Sequence, residues 1–153
     1  MLNWLKSMLS DKSEPEVEAG RTNDPKTAAA ALLVETALSD GIYADIEEAR
    51  ILDVLKNTFS LEHDDAETLL RDAEDLAEHA TGAHQYTNLV KQLTEEQRVL
   101  FIEGLYYVSF ADGEKCPYED AFVRHVASLL HVQDRDRAEA RKRAEQKSSA
   151  ELN

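Results

Sequence analysis

From Pro25 onward the chain repeats one pattern, an apolar run at helical spacing followed by a short polar break. In "NDPKTAAAALLVETALSDG" Asp24 is placed to cap a helix, Pro25 suits its first position, and Gly41 can end it. Ile46, Ala49, Leu52, Leu55 and Phe59 recur every three or four residues, which predicts a second helix from Asp45 to about Phe59. After Ser60, read as a cap, Ala66, Leu69, Leu70, Ala73, Leu76, Ala77 and Ala80 predict a third. "GAHQYTNLVKQL" reads as a shorter connecting helix, and Thr94 with Gln97 forms a capping-box pattern for the next one.

The run "VLFIEGLYYVSFA", Val99 to Ala111, is apolar nearly all round and predicts a helix buried on most sides. Gly104 in its middle weakens the helix intrinsically, so its expected use is to let another helix approach closely. Phe122, Val123, Val126, Leu129 and Leu130 form a further apolar face. Beyond Asp134 only alanines interrupt the charges, which predicts a short or frayed last helix. The fold class is all-α, with about seven or eight helices.

The pattern occurs twice. At an offset of 72 residues, nine of the forty positions from Ala28 to Glu67 are identical in the second copy: Leu33, Asp40, Gly41, Glu47, Ala49, Val54, Asp64, Ala66 and Glu67 match Leu105, Asp112, Gly113, Glu119, Ala121, Val126, Asp136, Ala138 and Glu139. Helix, Asp-Gly corner, acid-started helix and third helix recur in order, which implies an internal duplication whose long first helices bury against each other. The organisation is then residues 1–24 as an amphipathic segment and linker, 25–136 as one helical domain, and 137–153 as a charged helix or tail. Repeat one covers about 25–80 and repeat two about 95–136. "MLNWLKSML" places Leu2, Leu5 and Leu9 on one helical face but is too short to span a bilayer, and "SDKSEPEVEAGRTND" has the composition of a flexible linker.

Composition narrows the function classes. The 153 residues suit one domain with its own core, and five Gly and three Pro fit a helical chain. A net charge of −14 argues against nucleic acid as a partner, because phosphate backbones are bound mainly by basic surfaces. Glu35 to Ala80 alone carries fourteen acids against Arg50, Lys56 and Arg71, a solvated face or one that attracts cations or basic partners. Cys116 is the single cysteine, which excludes an internal disulfide and suits a reducing, cytoplasmic setting. Neither a nucleophile-base arrangement nor a glycine-rich phosphate loop occurs, and Asp75 with His79 reads as a surface pair on a charged helix. No enzyme is expected.

The corners carry the candidate chemistry. Gly41 to Glu47 and Gly113 to Glu119 have the Gly-to-Glu spacing of a calcium loop, but the first ligand positions would fall on Thr36 and Leu38 or Val108 and Phe110, which supply no carboxylates. The simpler account has each Gly ending a helix and each acid capping the next. If the two corners meet, Asp40, Glu47, Asp112 and Glu119 would gather oxygen ligands suited to calcium or magnesium.

The paired stretches "ALSDGIYADIEEARIL" and "SFADGEKCPYEDAFVRHV" resemble the TerB-like family, associated with tellurite resistance and also seen as a domain of some DnaJ-type co-chaperones. Ala111, Asp112, Gly113, Glu114, Pro117 and Glu119 match its second-corner pattern, whereas Cys116 and Tyr118 depart from it. In the first corner Asp40, Gly41 and Glu47 are kept, and Ser39, Ala44 and Asp45 are departures. The resemblance spans about Pro25 to Asp136 and implies an all-helical domain with pseudo-twofold halves. It further implies a non-enzymatic module, linked to metal or oxyanion stress, that binds protein partners. A peripheral adaptor resting on the inner face of a membrane through Met1 to Leu9 is the alternative expectation.

Overall fold

Asp24 opens the first helix: its Oδ1 accepts from the Lys26 amide at 3.1 Å and its Oδ2 from the Thr27 hydroxyl at 3.0 Å. The structure is a computed structural model and describes residues 22–38, 45–79, 84–111 and 117–152. Among these residues every regular element is an α-helix, in the order α1 (Pro25–Leu38), α2 (Asp45–Phe59), α3 (His63–His79), α4 (His84–Val90), α5 (Glu95–Ser109), α6 (Pro117–Leu129) and α7 (Asp134–Leu152). Residues 1–21, with the amphipathic segment and most of the linker, lie outside the described residues.

α1 is buried from Thr27 through Val34 and again at Thr36 and Ala37, because α2, α3, α4 and α5 all pack on it. A helix enclosed on every side needs small side chains where its neighbours come close, and Ala28 to Ala31 supply them. Thr36 is tolerated there because its hydroxyl donates to the Leu32 carbonyl at 2.9 Å.

α5 is the second central helix. The capping box at its start forms as read, with the Gln97 amide donating to Thr94 Oγ1 and the Thr94 amide to Gln97 Oε1, each at 3.1 Å. Gly104 marks the closest approach: a Cβ placed there would lie 2.4 Å from Val54 Cγ1 on α2. α2 buries a face shifted from the one its periodicity suggested. Arg50, Ile51, Val54, Leu55, Thr58 and Phe59 are buried, whereas Ile46 is 45% exposed and Ala49 is exposed.

Two further expectations are corrected. Ser60 does not cap α3; its φ of 54° and the bond from the Leu61 amide to the Lys56 carbonyl make it the left-handed residue that closes α2. The last helix is not short: α7 runs 19 residues without a break and packs along α5. Ala140 and Ala144, both fully buried, let its backbone come close, and charged side chains hold it there.

Pro117 follows Asp45 by 72 residues, but Asp134 follows His63 by 71. The slip is complete by the closing turn of α6, where His131 has a φ of 60° and the Val132 amide bonds to the Ala127 carbonyl, 71 residues after the Leu61–Lys56 bond. The identities Asp64/Asp136, Ala66/Ala138 and Glu67/Glu139 therefore fall one residue out of register, and Ala66 is buried while Ala138 is exposed.

Candidate functional site

Glu47 and Glu119 are each the third residue of their helix, half-buried and engaged in polar interactions. That position suits a carboxylate, since the first-turn amides and the helix dipole both favour negative charge. Asp40 and Asp112, the other two acids of the predicted set, lie outside the described residues. α2 and α6 lean mainly on α5 and not on each other, so α5 is the shared support of the two glutamate-bearing helices.

Among the described residues, the group of three carboxylate and imidazole donors close enough to share one ion is Asp75, Glu78 and His79, near the end of α3. One ligand atom from each lies within 4.8 Å of the others, and all three residues are exposed. His79 Nδ1 is 2.9 Å from the Asp75 carbonyl oxygen, and this bond, followed by the nearby acids, raises the ring's pKa above that of an ordinary histidine. A cation at this imidazole would have to displace a proton. Five of the seven acids on α3, namely Asp64, Asp65, Asp72, Asp75 and Glu78, are exposed, so the helix carries a negative outer face.

A second cluster was not anticipated from the sequence. The Arg50 guanidinium is 3% exposed between α2, α5 and α7. Its Nη1 donates to the Tyr107 carbonyl at 2.7 Å and to Ser148 Oγ at 2.9 Å, its plane lies 4.4 Å from the Tyr107 ring centre, and Nη2 is 3.8 Å from Glu151. Tyr107 donates its hydroxyl to Glu151, Ser148 donates to the Phe110 carbonyl at 3.2 Å, and Lys147 pairs with Asp53 at 2.5 Å. Burial, then the bond to Glu151, pushes the Tyr107 hydroxyl well above the usual tyrosine range, so it stays a donor. On α1, burial raises the half-buried Glu35 carboxyl as well.

The family of tellurite resistance protein TerB matches residues 26–142. The chain belongs to the TerB family. The TerB match contains both corners, with Asp40, Glu47, Asp112 and Glu119, and also Asp75, Glu78 and His79. It ends inside α7 at Lys142, before Lys147, Ser148 and Glu151. No curated protein and no solved structure matches the chain.

The Arg50 cluster had no local sequence signal that could reveal it. An arginine beside Ile51 and Val54 looks like an interruption of an apolar face, while here its long side chain crosses α5 to reach a helix nearly a hundred residues further along. His84 and Cys116 contribute no described side chain, and His125 is exposed on α6.

Proposed function

We propose that this TerB-family chain is a non-enzymatic binding module of tellurite or metal stress resistance, recruiting protein partners and taking up a divalent cation weakly. The observation that supports this reading is the equivalent placement of Glu47 and Glu119 within a family match that spans both corners. With Asp40 and Asp112, oxygen donors of this kind would suit calcium or magnesium. The Asp75–Glu78–His79 group adds an imidazole and would suit zinc better. The negative face of α3 favours a partner with a basic surface.

Titration calorimetry of the full chain separates the two cation sites. Calcium or magnesium heat that Asp112→Asn weakens and His79→Ala leaves alone supports the corner site; zinc heat lost in His79→Ala supports the α3 site. Flat titrations with all three ions sink the cation part of the proposal and leave partner binding to be tested by cross-linking.

The alternative is a peripheral membrane adaptor. Its support is the apolar face of Leu2, Leu5 and Leu9; no helix among the described residues is long and apolar enough to cross a membrane. Deleting Met1 to Leu9 should then abolish sedimentation with anionic vesicles, and unchanged partitioning would remove this reading.

A further inference from the structure

We propose that α7 is a releasable strap, held across α2, α5 and α6 by charged contacts and freed by rising ionic strength while α1 to α5 stay folded. The first observation is what α7 buries. Its fully or nearly enclosed side chains are Ala140, Ala144 and Ser148, so it inserts no large apolar side chain; the rest of its cover over Tyr106 and Tyr107 comes from Arg137, Arg141 and Lys147. α3, which packs on α1 as α7 packs on α5, buries Leu70 and Leu76 as well as two alanines.

The second observation is what replaces the missing apolar hold. Arg143 reaches Glu103 on α5 at 2.6 Å, Lys147 reaches Asp53 on α2 at 2.5 Å, and Arg141 approaches Asp120 on α6 at 3.7 Å. All three cross between helices and all retain contact with solvent, so each is weakened by screening. Pairs that keep contact with solvent weaken together when the Debye length falls, Arg143–Glu103 and Lys147–Asp53 more than the less exposed Arg141–Asp120.

The third observation concerns the buried end of the strap. Arg50 Nε and Nη2 lack hydrogen-bond partners, although the side chain is almost wholly buried. A charged group left partly unsatisfied raises the free energy of the closed state, and its rehydration offsets part of the cost of opening. Release would uncover Tyr106, Tyr107 and Arg50, a surface of two aromatic rings and one cation. Aromatic and arginine side chains are the residue types most enriched at docking hot spots.

Hydrogen exchange of the full chain tests this. Between about 10 mM and 1 M sodium chloride the Debye length falls from about 30 Å to about 3 Å. Peptides from Asp134 to Leu152 should lose protection by about fivefold, the size expected when three partly exposed pairs are screened together. Peptides from α1 and α3 should keep theirs. Lys147→Gln combined with Glu151→Gln should reproduce the loss at low salt, and because both residues are partly exposed this variant keeps the core intact. Equal loss across all helices would show that α7 opens only with global unfolding and overturn the proposal; so would protection of α7 that neither salt nor the double variant changes.

Discussion

α3 lies against α1 with Ala66, Leu70, Ala73 and Leu76 buried, whereas α7 lies against α5 with Ala140, Ala144 and Ser148 buried. Both helices are rich in charge, but the charges are used differently. On α3 the ion pairs His63–Glu67 and His79–Asp75 stay within the helix, and most of its acids face outward. α7 has such pairs too, Arg135–Glu139, Arg137–Asp134 and Arg141–Glu145, but its Arg143, Lys147 and Arg141 also reach Glu103, Asp53 and Asp120 on three other helices. A helix anchored by leucines can devote its outer face to partners or cations, while a helix anchored by its charges spends them on staying in place.

The comparison breaks most visibly at its apolar anchor. Leu76→Ala should lower the unfolding free energy by about 2–5 kcal/mol in a denaturant melt, since Leu76 is fully buried and its neighbours cannot close the gap. Gly104→Ala should cost about 1–3 kcal/mol, because the new methyl group meets the stiff Val54 side chain; Val54→Ala in the same chain should recover part of it. Thr94→Ala removes one half of the box at the start of α5 and should cost about 1 kcal/mol. Arg143→Ala, which deletes one exposed strap contact, should cost only about 0.2–1 kcal/mol, and less at high salt. An Arg143→Ala effect as large as that of Leu76→Ala would abolish the distinction drawn between the two helices.

Tyrosine absorbance sharpens it further. Tyr107 titrates late because burial and the Glu151 bond favour its neutral form, and Tyr106 does so because burial outweighs the nearby Arg137. A folded pKa above the unfolded value of 10.0 means that the folded state keeps its protons longer. The associated stability is fully present below about pH 10 and is lost as pH rises through the folded value. Tyr107→Phe should flatten the alkaline fall in stability, and an unchanged profile would remove Tyr107 as its cause.

Much of the fold was legible because local signals and tertiary packing agreed. Asp24, Thr94 and Gln97 act through amides a few residues away and Pro25 through its own fixed φ, so their roles can be read without knowing the neighbours. Gly104 was legible for a related reason: a glycine in a strongly helical run is costly unless something comes close. Ser60 was misread because one small polar residue can end a helix or begin one, and the choice depended on its φ. The burial of Arg50 and the length of α7 were not legible, since each depends on the other across 98 positions of chain. Of the candidate site, Glu47 and Glu119 are placed as first-turn acids, and the Asp75–Glu78–His79 group shows that a surface pair can gain a third donor from a residue lying between its two members.

The four consecutive alanines of α1 bear on how the chain assembles. Alanine has the strongest intrinsic preference for helix, so Ala28 to Ala31 lie in a segment that can turn helical before any partner is present, and four other helices later need it as a surface. A nucleus built there would make refolding speed, more than unfolding speed, sensitive to this one segment. Ala30→Gly should accordingly slow the folding arm of a chevron plot and leave the unfolding arm nearly unmoved, and the opposite result would place the first contacts elsewhere.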